Sequence, residues 1–177
     1  MIENLSQIQN KKSIRAQICE IFFESAIRQK FDTEQDRIDF QDMWLDRYLV
    51  NFEDQVLIFQ SPEHGVLGYL TGCQDSLGAC QYFEDVDYFS ELKKFYRDFP
   101  AHFHINVKSE CRNQGIGGYL VQSFVDECST SLVSGAHIVT AQNTRNVSFY
   151  QKCGFKPVTA MNLGNRKLVM MGRSVLE

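Results

Sequence analysis

Apolar residues recur at helical spacing between Lys11 and Lys30, where Ile14, Ile18, Ile21, Phe22 and Ala26 fall on one stripe. The spacing predicts a second helix from about Glu34 to Val50. There Ile38, Leu45 and Leu49 share a face, with Trp44 and Tyr48 beside it. Thr33 and Asp36 sketch a capping box in which Asp replaces the usual Glu. The period then changes. Val56 to Phe59 and Val66 to Thr71 read as strands, and Ser61-Pro62-Glu63-His64-Gly65 between them is turn chemistry, so an antiparallel hairpin is expected. His102 to Val107 alternates as a strand. A helix follows it with a strong stripe of Leu120, Val121, Phe124, Val125 and Cys128. Ala136 to Thr140 reads as a strand and Asn146 to Cys153 as a short helix, with Gly154 placed as its C′ residue. Strands around Phe155 to Ala160 and Arg166 to Met171 close the chain. Helices and strands mixed in this order predict an α/β or α+β sheet protein rather than a sandwich.

Residues 74–100 break the pattern. Tyr82, Phe83, Tyr88, Phe89, Phe95, Tyr96 and Phe99 are interleaved with Glu84, Asp85, Asp87, Glu91 and Asp98. Aromatics at mixed spacing more often fill a core than mark a ligand, so packing is the favoured reading. A lid that recognises a cationic amine is the alternative.

A chain of 177 residues suits a single domain spanning 1–177. Its 12% aromatic content argues against disorder. The net charge of −4 and the absence of a Lys/Arg block remove the basic footprint of a nucleic-acid binder. The start of the chain has neither a cationic segment nor an apolar run, and no stretch reaches membrane-span length. Nucleic acid and membrane are therefore not expected as partners, and the reading places the protein in the cytoplasm. The six cysteines show neither CxxC pairs nor His at zinc spacing, so reduced thiols and no metal are expected. Cys111 could serve as a nucleophile, but the structural reading of this common core residue is preferred.

The chemistry is concentrated after the His102–Val107 strand. Cys111-Arg112-Asn113-Gln114-Gly115-Ile116-Gly117-Gly118 is a glycine-rich turn that opens a helix. Such a turn lets backbone N–H groups approach an anion, and the helix dipole adds positive potential, so phosphate is the natural guest. Two common phosphate motifs fail. A Walker loop needs Lys and Ser/Thr after its second glycine, where this chain has Gly118-Tyr119. A dinucleotide fingerprint needs glycine at position 120, which is Leu120.

What does match is Arg112-x-x-Gly115-x-Gly117, with strand Ala136 to Thr140, Asn143 and Phe149-Tyr150-Gln151-Lys152-Cys153-Gly154-Phe155 downstream. The two halves together resemble the GCN5-related N-acetyltransferase (GNAT) family, tightly over residues 102–157. Ser109 stands where proline is usual, Asn113 where glycine is frequent and Asn146 where a small residue is usual. The stretch Phe99-Pro100-Ala101-His102-Phe103-His104-Ile105 is similar to a bacterial subset related to the acetyltransferase-like domain beside O-GlcNAc hydrolases.

The resemblance implies a central mixed, mostly antiparallel sheet of six or seven strands flanked by about four helices. It also implies acetyl-CoA as cosubstrate and an amine, small or peptidic, as acceptor; a homodimer is compatible with it. The pyrophosphate would be held by N–H groups of Asn113, Gln114, Gly115, Ile116, Gly117 and Gly118, with Arg112 bearing on the loop. Pantetheine would pair with the backbone of Ile105, Asn106 and Val107. Asn143 would bond the cofactor or hold a water. Tyr150 takes the place of the acid that protonates the departing thiolate. His104, on the same strand face as His102, is the candidate base. The family's usual base positions align instead with Ala101 and Phe103. A non-catalytic acetyl-CoA-binding module is the competing interpretation.

Overall fold

The computed structural model describes residues 1–176. Seven strands form one sheet in the order β1-β2-β3-β4-β5-β7-β6. The chain divides into two compact units. One comprises Met1–Gly72 with His104–Phe124, the other Cys73–Phe103 with the residues from Val125 onward. Strand β4 (Ala101–Val107) and helix α4 (Ile116–Thr130) each pass from one unit into the other.

The first unit opens with β1 (Ile2–Asn4), which pairs antiparallel with β2 (Val56–Ser61). Three residues are too few to show alternation, and the sequence pattern does not reveal this strand. Helix α1 (Lys11–Ser25) buries Ile14, Ile18, Ile21 and Phe22, as its stripe predicts. It ends before Lys30 because Ala26 turns to extended backbone (ψ 138°) and Ile27 is fully in solvent, leaving no apolar contact to carry the helix on.

Helix α2 (Glu34–Gln41), a π-helical turn (Asp42–Asp46) and α3 (Arg47–Asn51) run on as one rod, every junction staying right-handed helical. Counted as one, this rod is one of four α-helical bodies among the described residues. Thr33 caps it by accepting from the Asp36 N–H at 3.1 Å. The Asp36 carboxylate does not complete a capping box; it takes Arg28 and the Asp32 N–H instead. The expectation that Ile38 shares a face with Leu45 and Leu49 fails: Leu45 and Leu49 are buried while Ile38 is half exposed. The π-turn lies between them and winds more slowly than an α-helix, so residues before it are rotated away from the face used after it.

β2 and β3 (Gly65–Cys73) form the expected antiparallel hairpin. One core of this unit joins Ile18, Ile21 and Phe22 of α1 and Leu45 and Leu49 of the rod to Val56, Ile58 and Tyr69 of the hairpin. Burial at this density makes side-chain insertion costly. At Gly72 an added Cβ would lie 2.3 Å from the Phe124 ring, itself fully buried. Gly72→Val is expected to lower stability by about 1–3 kcal/mol. A reduced urea midpoint with an unchanged m-value would show it.

In the second unit, β4 runs parallel to β5 (Gly135–Ala141), with Ala101↔Ala136 and His102↔His137 as the paired residues. β5 pairs antiparallel with β7 (Arg166–Ser174), which pairs antiparallel with β6 (Lys156–Leu163). Helix α5 (Arg145–Lys152) stops at Gly154, whose φ of +86° confirms it as the C′ residue. Residues 74–100 fold as consecutive turns and short 3₁₀ pieces. Phe83, Tyr88, Phe89 and Tyr96 are buried there with Leu92 and fill core as expected, whereas Phe95 and Phe99 are half-buried and Tyr82 is exposed. Of the acidic residues, Asp87 is spent on an exposed ion pair with Arg166. Among the described residues no helix is long and apolar enough to cross a membrane.

Candidate functional site

In the first unit, β4 ends at Val107 and the Lys108 N–H closes on the Leu67 carbonyl at 2.9 Å. A single 3₁₀ turn (Ser109–Cys111) then leads into the glycine-rich loop. Two residues of α1 hold this segment. Glu24 accepts from the Ser109 N–H at 3.0 Å, and Ser25 accepts from the Arg112 guanidinium at 3.2 Å. Hydrogen bonds from Ser109 pull the Glu24 carboxyl below its ordinary pKa. Arg112 also donates to the Val107 carbonyl at 3.2 Å. It thereby ties the loop to the end of β4 and to the C-terminal turn of α1, where a cation is favoured. Nothing in the local motif signals Glu24 or Ser25, because they lie some eighty residues upstream.

The loop backbone takes left-handed conformations at Asn113 (φ 64°) and Gly115 (φ 85°). Asn is one of the few residues besides glycine that accept this region readily, which explains its presence at 113. The Gly115 carbonyl accepts the first helical bond of α4, from Tyr119 at 3.0 Å. None of the N–H groups of residues 113–118 donates to another group among the described residues. Asn113, Gln114 and Gly115 are exposed, whereas Ile116 is buried and anchors the helix start. A row of free amides at the head of a fifteen-residue helix is a cradle for an anion of phosphate type.

On β4 the side chains alternate. The Asn106 amide donates to the Tyr69 hydroxyl at 2.9 Å. The partly buried His104 imidazole meets the rings of Trp44 and Tyr48 near-perpendicularly, with centroids 5.4 and 5.5 Å away. Burial in these apolar surroundings pushes the His104 pKa down to about 4. Sequence spacing gives no hint of the two aromatic partners.

In the second unit, Tyr150 on α5 is buried among Phe103, Phe149 and Phe155, at centroid distances of 6.1, 5.0 and 6.0 Å. Burial raises its phenol pKa, so the hydroxyl stays protonated at neutral pH. That hydroxyl has no hydrogen-bond partner among the described residues. Asn143 is exposed in the turn between β5 and α5, with φ 57°.

His102 is buried and committed elsewhere. The Ser76 hydroxyl donates to the Pro100 carbonyl at 2.5 Å, so its 2.7 Å contact with His102 Nδ1 must have the imidazole as donor. Alongside, His137 Nδ1 donates to the Phe99 carbonyl at 2.7 Å. Ser76→Ala would strand a buried imidazole N–H and is expected to cost about 1–3 kcal/mol. Thermal unfolding would report the loss, while the far-UV spectrum stays unchanged.

Residues 64–157, more than half of the chain, match the family model of the acetyltransferase (GNAT) domain. The chain belongs to the GNAT family. It is accordingly an acyltransferase, and the family uses acetyl-CoA. Solved structures share the GNAT fold end to end. The structure described as SsHAT superposes with a TM-score of 0.74 at 18% identity, covering 100% of this chain and 98% of its own. An N-acetyltransferase from Staphylococcus aureus Mu50 gives 0.65 at 17% identity, over 99% and 98%. Chaetomium thermophilum Naa20, solved with a bisubstrate analogue, gives 0.61 at 12% identity, over 98% and 86%. No curated protein matches the sequence. The further likeness to domains beside O-GlcNAc hydrolases gains no support from these GNAT relatives.

Proposed function

We propose that this GNAT protein binds acetyl-CoA through the backbone of residues 113–118 and transfers the acetyl group to an amine. The observation that carries the proposal is the row of free N–H groups at the head of α4, shaped by left-handed Asn113 and Gly115. Those groups are the right donors for a pyrophosphate, and Arg112 serves by holding the loop in place rather than by free reach. Ladder pairing of β4 with β5 ends at His102↔His137, so Ile105, Asn106 and Val107 lie beyond it as an edge for pantetheine. Asn143 is assigned a contact to the cofactor.

Acetyl-CoA supplies the acyl group as a thioester, and attack by the amine releases a thiolate. Tyr150 gives its phenolic proton to that sulfur and regains one from solvent. His104 takes the proton that the amine nitrogen loses. The acceptor is a small amine or an exposed peptide amine.

The test is calorimetric titration of acetyl-CoA into the purified protein, followed by detection of free CoA thiol with a panel of amines. Saturable binding and amine-dependent thiol release are expected. Absence of binding would overturn the whole reading. Binding without release to any amine would leave a non-catalytic acetyl-CoA-binding module in its place.

A further inference from the structure

The His104 imidazole, like the Tyr150 hydroxyl, makes no hydrogen bond among the described residues. Its surroundings can be read from the sheet. β3 and β4 are neighbours in the sheet; the Lys108 N–H bonds the Leu67 carbonyl and the Asn106 side chain bonds the Tyr69 hydroxyl. Thr71 is fully buried, and its hydroxyl has no partner among the described residues. Over His104 lies the rod, contributing Trp44 from the π-turn and Tyr48 from α3.

The titratable groups packed here are the Tyr48 and Tyr69 phenols and, on α1, the Cys19 thiol; burial raises both Tyr69 and Cys19. Asp46 and Arg47 sit on the same rod but are engaged within it. Asp46 accepts from Gln41 at 2.9 Å, and Arg47 donates to the Asp42 carbonyl at 3.2 Å. Burial beside these rings lowers the His104 pKa.

We propose that Trp44 and Tyr48 are positioning residues that keep the His104 imidazole uncharged across the working pH range. It can then accept the N–H proton that the amine nitrogen releases as the C–N bond forms. The inference rests on His104 being the base. An imidazole so desolvated is a poor base toward a free alkylammonium, whose pKa is near 10. The nitrogen becomes far more acidic once it bonds the acyl carbon, and a neutral acceptor in place at that moment is what the step requires. The proton passes from nitrogen to imidazole and then to water.

The test combines imidazole NMR titration with a pH profile of kcat/KM. The His104 resonance is assigned by its loss in His104→Gln. In the wild type it should show no titration between pH 5.5 and 8. In Trp44→Ala its midpoint should rise by at least about one pH unit toward the ordinary value near 6.5, and kcat/KM should acquire a loss below that pH that is recovered at pH 8. If Trp44→Ala fails to fold, Tyr48→Leu carries the same expectation. A wild-type midpoint near 6.5, or an unmoved midpoint in the folded variants, overturns the proposal. So does unchanged kcat/KM in His104→Gln, which removes the base reading on which it rests. If no amine is acetylated at all, the catalytic function fails, while the NMR arm still decides whether the two rings control His104.

Discussion

Tyr150→Phe is expected to lower kcat for acetyl transfer by about 10²-fold or more, the scale of a lost general acid, with acetyl-CoA affinity held within about twofold. The substitution removes only an oxygen that has no hydrogen bond within the described chain, so no partner is stranded. The ring contacts with Phe103, Phe149 and Phe155 survive, and with them the fold of this unit. Kinetics beside calorimetry separates the two quantities. If kcat is unchanged, Tyr150 is a packing residue and the thiolate takes its proton from water.

The second large effect is on binding. Gly115→Glu should weaken acetyl-CoA affinity by on the order of 10²-fold while the protein stays folded. A side chain at φ +85° costs roughly 1–2 kcal/mol in an L-residue, a factor of about 5–30 against the loop conformation that presents these amides. A carboxylate set among the free amides of residues 113–118 then competes with, and repels, an incoming pyrophosphate. Space does not forbid the variant, because an added Cβ meets only the exposed Tyr119 ring, at 3.4 Å. Calorimetry checks the affinity, and circular dichroism checks the fold. Undiminished affinity would move the cofactor away from this loop.

Much of the fold was legible because its elements carry their own periodicity. The stripe Leu120, Val121, Phe124, Val125 and Cys128 is buried throughout, and Gly154 sits where a helix must stop. The glycine-rich loop was legible for a related reason: backbone geometry there is written in residue type, Asn113 and Gly115 both being tolerant of positive φ. What escaped was tertiary. Glu24 and Ser25 brace the loop from a helix about eighty residues earlier, and Trp44 and Tyr48 reach His104 across the sheet face. No local pattern encodes such contacts. His102 and His104 look equivalent in sequence, two apart on one strand, yet Ser76 engages the first while two rings enclose the second.

The π-turn at Asp42–Asp46 decides where the rod can change length. Such a turn holds one residue beyond what regular winding needs. Deleting that one residue would let the rod close into an ordinary α-helix with the residues on either side kept in phase, whereas deleting one from α2 would swing everything after the cut by about 100°. After such a cut in α2, Leu49 and Tyr48 would leave the buried face they now occupy. Exposed side chains along the rod, such as Glu34 and Asp39, can be exchanged with little consequence, whereas the count of residues within α2 or α3 cannot be changed without unseating the hairpin below.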